Sequence, residues 1–399
     1  MILAVELLKW AYLAVKGRVM AQEYSVNAKV YKNAEFGDWS IEDMLAYFKR
    51  HGVMRVSDLH IKVGVPPAYR FDGNLMKLRG EIVTKQIAEG LIFPLLGEKK
   101  IAEFKTKGNI DCSYHYSDLQ FRINVFIDND GPAAAIRALG SDVPKLEEIG
   151  FPNDVYKDIV KLQNGLVLLT GITGAGKSTT IASFIDRISE TKACRIISVE
   201  DPIEYIIKQK NSIVSQREVG RDVSSFSAGL KAMMREDPDV IFVGEMRDAE
   251  TIAMTLMAAE TGHLVFSTLH TRDVTGTITR VLDYFPSTRQ DEVRNQLSLG
   301  LAYIICQKLI PKKDGTGRLI CMEILNNSYA CANIIRLGKV EQLYSQLQTR
   351  TKDKPEERMI TFEAHLAKLV KTGKLDLLEA KKWVNDYQCF IDAMNTMAV

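Results

Sequence analysis

The sequence predicts an α/β protein of two domains, a small α/β domain followed by a larger one on a mostly parallel sheet with helices on both faces. Three observations carry this prediction. The apolar period changes across a stretch punctuated by Gly140-Ser141-Asp142-Val143-Pro144. Beyond it, four short apolar runs alternate with helical patterns. One of those runs leads into a glycine-rich loop that opens a helix. The 399 residues, 46% hydrophobic and 26% charged, hold enough apolar mass for two cores.

In chain order, residues 1–40 read as an N-terminal extension. Its apolar stretch, 2–15, is interrupted by Glu6 and Lys9 and is too short to span a bilayer, so an amphipathic helix packed on the body is expected. Residues 16–39 show little periodicity and suggest a loosely structured lead-in. The small domain is expected over 41–140. Ile41, Met44, Leu45 and Phe48 give one helical face, Leu59, Ile61 and Val63 alternate as a strand does, and Asp72-Gly73 signals a hairpin. A helical stretch near 84–104 leads to strands at 112–116 and 119–127. In the second of these, Phe121, Ile123 and Val125 share one face, which turns Arg122 to the other and leaves it available to a neighbour.

A linker is placed over 141–152 and the larger domain over 153–399. Its buried strands are the runs 166–170, 196–199, 240–243 and 264–266, and Ile181, Phe184, Ile185 and Ile188 mark a helix between the first two. After residue 287 the pattern is largely helical, apart from a hairpin turning at Asp314-Gly315-Thr316-Gly317.

The chemistry starts at Gly171-Ile172-Thr173-Gly174-Ala175-Gly176-Lys177-Ser178, which fits G-x-x-x-x-G-K-[ST] between a buried strand and an amphipathic helix. Glycines let backbone N–H groups curl around the phosphates of ATP at a helix N-terminus, Lys177 brings a mobile positive charge, and the Ser178 hydroxyl completes a Mg²⁺ site. The nucleotide-binding set is Gly171, Thr173, Gly174, Ala175, Gly176, Lys177, Ser178 and Thr179, with His263 added to it. The run 240–243 enters Gly244-Glu245, so a carboxylate emerges at the C-terminal edge of a buried strand and can act on Mg²⁺ or on the attacking water. Glu200-Asp201-Pro202-Ile203-Glu204 follows another buried strand, and one of its three carboxylates suits the task of orienting water. His263 and His270 bracket a further strand; no third ligand at a sensible spacing supports zinc, and His270 at the strand's C-terminal end can sense the γ-phosphate.

Together, the phosphate loop, the acidic box, the Gly-Glu pair and the two histidines resemble, in order and spacing, the four signature boxes of the secretion ATPases. The likeness to the PilT and PilU family of type IV pilus retraction ATPases extends to Ser57-Asp58-Leu59-His60, Val65-Pro66-Pro67, Phe71-Asp72-Gly73, Gln216-Arg217-Glu218-Val219-Gly220, Arg235-Glu236-Asp237-Pro238-Asp239 and Gly244-Glu245-Met246-Arg247-Asp248. It covers residues from about 41 to 372. The resemblance implies a PAS-like first domain, a RecA-like core with C-terminal helices, and a homohexamer with nucleotide between the domains. It implies Glu204 as the catalytic glutamate, Glu245 as the Walker B glutamate, His263 and His270 as the histidine box, and Arg122 and Arg137 as arginines that approach the phosphates. A further family arginine falls on Gln120. It also implies an inner-membrane pilus platform as partner and a cytoplasmic, membrane-peripheral location. Assembly and secretion relatives carry a tetracysteine zinc insertion near the segment that here reads 309–321, and that insertion is missing. The family stretch Ala-Ile-Arg-Asn-Leu-Ile-Arg-Glu appears here as Ala330-Cys331-Ala332-Asn333-Ile334-Ile335-Arg336-Leu337, which leaves room for an accessory role beside a paralogous retraction ATPase.

The net charge of +2, from 52 Lys and Arg against 50 Asp and Glu, gives no long-range field to recruit nucleic acid. No basic run interleaved with aromatics marks a strand path, which weighs against a helicase or translocase, and direct nucleic-acid binding is not expected. A non-catalytic ring subunit would show erosion of Lys177, Glu204 or Glu245, and all are present. Six scattered cysteines without a C-x-x-C pair fit reduced thiols in a cytoplasm.

Overall fold

A computed structural model describes residues 24–53, 55–71, 74–117, 119–139, 143–313, 317–353 and 357–396. The expected N-terminal amphipathic helix, the Asp72-Gly73 turn, Gly140-Ser141-Asp142 and the turn residues Asp314, Gly315 and Thr316 lie outside the described residues. The chain divides into two compact units, Met1–Ser141 and Asp142–Val399.

In the first unit, β1 (Tyr31–Asn33) and β2 (Gly37–Trp39) form an antiparallel hairpin. Tyr31 and Trp39 are buried in the unit's core, so over 31–39 the expected loose lead-in is an ordered hairpin. Its strands are three residues each, too short for periodicity to register. Helix Ile41–His51 follows a capping box made by Ser40 and Asp43, and it buries Ile41, Met44, Leu45 and Phe48. Strands β3 (Val56–Ile61), β4 (Ala68–Phe71), β5 (Asn74–Lys77), β6 (Asn109–Tyr116), β7 (Leu119–Ile127) and β8 (Pro132–Leu139) form one antiparallel sheet in the order β5-β4-β3-β8-β7-β6. Phe121, Ile123, Val125 and Ile136 point into the core, as strand alternation requires.

The second unit is built on a seven-stranded sheet. Its strands are β9 (Gly165–Thr170), β10 (Arg195–Glu200), β11 (Ile213–Glu218), β12 (Val240–Val243), β13 (Leu264–Leu269), β14 (Leu301–Pro311) and β15 (Arg318–Asn326), in the order β11-β10-β12-β13-β9-β14-β15. All run parallel except β15, which pairs antiparallel with β14. Along β9, Leu166 and Leu168 enter one apolar core while Val167 and Leu169 enter the other. The sheet is therefore covered on both faces, and its chemistry is displaced to the carboxyl ends of the strands. Among the described residues no helix is long and apolar enough to cross a membrane. The six cysteines all fall among the described residues and form no disulfide.

Candidate nucleotide site

Buried strand β9 ends at Thr170, and the chain turns through Gly171–Gly176 conformations that side chains rarely adopt: φ is 146° at Gly171, 78° at Gly174 and 88° at Gly176. At Gly171 the need is also steric, since an added Cβ would lie 2.5 Å from the Gln307 carbonyl oxygen of β14. Helix Lys177–Thr191 then starts with Gly176 as its N-cap, so its first N–H groups face the cradle. Lys177 is 8% exposed, and its Nζ donates to the carbonyls of Gly171 at 2.8 Å and Ile172 at 3.3 Å. Burial lowers its pKa, while the charges of Glu245 and Glu204 oppose that shift. Both predicted carboxylates thus act on the loop lysine. A glycine cradle that a Cβ would fill, with a buried ammonium folded over it, fits a polyphosphate.

The other groups converge from neighbouring strand ends. Ser178, Glu200, Glu204, Tyr205 and Gln216 line one cleft. Glu200 closes β10; its Oε1 accepts from Ser198 Oγ at 2.6 Å and Gln216 Nε2 at 3.0 Å, and burial pushes its pKa up to about 7. Thr179, expected among the nucleotide-binding residues, has its hydroxyl 2.9 Å from the Tyr205 hydroxyl, joining the phosphate-loop helix to the acidic segment.

Glu245 follows β12 through Gly244, where a Cβ would sit 3.2 Å from the Glu200 Cα. A side chain there would press on the end of β10, so glycine is the residue that fits without displacement. The end of β12 is clamped to β13 by Thr268 Oγ1 donating to the Gly244 carbonyl at 2.7 Å and by Met246 N donating to the Thr268 carbonyl at 3.2 Å. The clamp brings His270 Nε2 to 3.3 Å from Glu245 Oε1. Arg247 donates through Nε to Glu245 Oε2 at 2.8 Å and through a terminal nitrogen to Asp201 at 3.1 Å. Asp201 and Arg247 therefore tie two of the boxes together. Composition and periodicity gave Arg247 no role; its place in the Gly244–Asp248 segment was the available signal.

Three predicted residues lie elsewhere in the chain, one at the far end of its strand and two in the first unit. His263 precedes β13 while His270 follows it, and six strand residues at about 3.3 Å each put them roughly 20 Å apart. His263 lies at the amino ends of the strands, its Nδ1 2.9 Å from the Ala258 carbonyl, so within this chain it does not reach the phosphate loop. The matching of strand ends with both histidines hid this, because a strand's two ends face opposite edges of a sheet. Arg122 and Arg137 belong to the first unit, where they are cross-strand partners in β7 and β8 with exposed side chains. Arg137 Nε donates to Asp58 Oδ1 at 2.7 Å. Among the described residues no cluster of His, Cys, Asp and Glu could hold a metal by itself. Mg²⁺ does not need one, since it keeps waters and takes one or two protein oxygens plus substrate phosphates; the Ser178 hydroxyl and Glu245 are oxygen donors of that kind.

A glycine-rich phosphate cradle at the carboxyl edge of a doubly covered parallel sheet, with carboxylates arriving from two neighbouring strands, defines a P-loop ATPase. The chain belongs to the type II/IV secretion system protein family, whose model matches residues 54–364, and within it to the PilT and PilU group. It is 43% identical to the type IV pilus retraction ATPase PilT of Pseudomonas aeruginosa, over 77% of this chain and 89% of the relative. It is 34% identical to the type IV pilus ATPase PilU of the same organism, over 84% and 87%. Among solved structures, the pilus retraction motor PilT with bound ADP superposes with a TM-score of 0.78 at 41% identity, covering 88% of this chain and 98% of that one. The chain is accordingly an ATP-hydrolysing enzyme with a nucleotide-binding core of the PilT type.

Proposed function

We propose that this chain is the cytoplasmic motor subunit that hydrolyses ATP to withdraw type IV pili, working as a homohexameric ring against an inner-membrane platform protein. The observation that supports it most is the intact hydrolytic cluster, Lys177, Glu204, Glu245 and His270, in a chain that matches PilT across most of both lengths.

In this reading the loop N–H groups and Lys177 hold the β- and γ-phosphates. Glu204 orients the attacking water in line with the leaving group, and Glu245, fixed by Arg247 and His270, takes its place beside the γ-phosphate. Bound through Ser178 and Glu245, Mg²⁺ would neutralise charge on the phosphate oxygens. Arg122 and Arg137, by family resemblance, add positive charge when the two domains close, and Asp58 orients Arg137.

A second reading has one observation behind it. In helix Tyr329–Arg336, Arg336 donates to Asn333 Oδ1 at 2.7 Å, but the C-cap that follows is Leu337, which is 57% exposed where the family stretch has a glutamate. An apolar residue there favours an accessory motor acting beside a paralogous retraction ATPase. The test of both is retraction frequency in a strain carrying this gene as its sole retraction motor, compared with one that also carries a paralogue. Robust retraction alone selects the first reading; dependence on the paralogue selects the second.

A further inference from the structure

We infer that Gln216, on β11, is the residue that positions the acidic segment for hydrolysis. Its side chain uses both ends on three partners. Nε2 donates to Glu200 Oε1 at 3.0 Å and to the Tyr205 carbonyl at 2.8 Å, and Oε1 accepts from the Ile207 N–H at 2.8 Å. These partners lie on both sides of Glu204: Glu200 before it, Tyr205 and Ile207 after it. One amide therefore pins the loop that carries the water-orienting carboxylate at its entry and at its exit.

The surroundings explain why an amide is needed there. Segment 201–207 contains no helix or strand, so its backbone groups have no ladder to satisfy them, and an unmet buried N–H or carbonyl is costly. Ile207 is buried, and the strand pairing of β11 with β10 sets Gln216 beside Ser198, another donor to Glu200. Only a side chain with both a donor and an acceptor at its tip, long enough to span from the strand, serves the three groups at once. The Thr179–Tyr205 hydroxyl contact fastens the same loop to the phosphate-loop helix. Gln216 thus acts through Glu204 and touches no substrate in this account.

The inference rests on Glu204 being the water-orienting residue, and the test separates the two. Gln216→Leu retains bulk and removes all three hydrogen bonds. Turnover, nucleotide affinity by titration with a fluorescent ATP analogue, and thermal melting are measured on the full-length protein for Gln216→Leu, Glu204→Gln and the parent. The expected result is a fall in kcat of about 10- to 100-fold in Gln216→Leu, with nucleotide affinity within about threefold of the parent, because a misplaced loop loses transition-state geometry and keeps ground-state phosphate contacts. Gln216→Glu retains the acceptor for Ile207 and loses the donor to Glu200, and its kcat should also fall with affinity retained. Parent-like turnover in Gln216→Leu while Glu204→Gln is inactive overturns the positioning role and leaves Glu204 standing. Parent-like turnover in both overturns the assignment of Glu204 and the positioning role with it. Parallel losses of kcat and affinity in both Gln216 variants, accompanied by a lowered melting point, show a purely structural residue and also overturn the inference.

Discussion

His270 Nε2 lies 3.3 Å from Glu245 Oε1, across the ends of two adjacent parallel strands, while Arg247 holds the other oxygen of the same carboxylate at 2.8 Å. The carboxylate is therefore oriented from two sides. His270→Ala removes one of them. Steady-state kinetics should show kcat reduced by about 10-fold or more with a smaller change in nucleotide affinity, since the lost contact fixes the carboxylate proposed to act in hydrolysis and not the phosphates. An affinity loss as large as the loss in kcat would place His270 on the ground-state nucleotide instead.

Lys177→Ala and Glu204→Gln should fail in different ways. Lys177 is the ammonium folded over the phosphate cradle, so its removal should weaken nucleotide binding and abolish hydrolysis. Glu204→Gln alters only the group proposed to orient water; binding should persist while turnover falls by about 10²- to 10⁴-fold. Nucleotide titration beside a phosphate-release assay distinguishes them. Near-normal release from Glu204→Gln would move the water-orienting role to Glu200 or Glu245.

At Gly171, φ of 146° and the Gln307 carbonyl 2.5 Å from a would-be Cβ forbid even alanine. Gly171→Ala should cost about 1–3 kcal/mol of stability through backbone strain and should weaken nucleotide binding as the loop shifts. Gly262, also at positive φ but with open space around its Cβ position, serves as the control: Gly262→Ala should be destabilising yet leave nucleotide affinity unchanged. Equal affinities in the two variants would contradict the steric account.

Much of this was legible in the sequence, and the exceptions have physical causes. The run 240–243 is β12 to the residue, and the face made by Ile41, Met44, Leu45 and Phe48 is buried as its spacing requires. Strand β8, Pro-Ala-Ala-Ala-Ile-Arg-Ala-Leu, gave only a Gly-Pro break, because alanine has no strand preference of its own. Pairing with β3 and β7 on either side makes it a strand. Edge strand β11 is half-exposed and polar, Ile-Val-Ser-Gln-Arg-Glu, and shows no apolar alternation to read. At the site, the phosphate loop and Glu245 could be named from local pattern, whereas Glu204 was separated from Glu200 and Asp201 only by the family resemblance. The bonds from Gln216 to Glu200 and from Arg247 to Asp201 could not, since each joins segments more than a dozen residues apart.

Glu323, on β15, is 1% exposed and accepts from the Val274 N–H at 2.9 Å. Burial raises its pKa to about 7, the Val274 bond opposes the shift, and the charges of Glu363 and Asp273 reinforce it. With the folded value above the ordinary one, the folded protein retains a proton that the unfolded chain releases, so stability falls as pH rises from about 4.5 to about 7 and is lowest beyond it. The shift corresponds to roughly 3 kcal/mol at most. Glu323→Gln keeps an acceptor for Val274 and removes the titration. Thermal melts should show the variant gaining on the parent as pH rises through that window and level with it near the bottom. A constant difference across the window would mean that Glu323 is not the titrating group.

Arg122 and Arg137 face outward from adjacent strands, and Arg137 is oriented by Asp58. If Arg122 serves as proposed, Arg122→Ala should lower turnover more than ground-state ATP affinity, because its proposed contact with the phosphates forms only on closure. Asp58→Asn should weaken turnover through Arg137 with the fold intact by circular dichroism. Equal losses of turnover and affinity in Arg122→Ala would count against a role in closure.

The central claim is that hydrolysis here drives filament withdrawal, and the most direct measurement is made in cells of the source organism. Surface pili and twitching are scored in a deletion strain and in the same strain expressing Glu204→Gln. Both strains should carry normal or excess pili and move poorly, with wild-type gene restoring movement. Bald cells would contradict the account and place this ATPase on the assembly side.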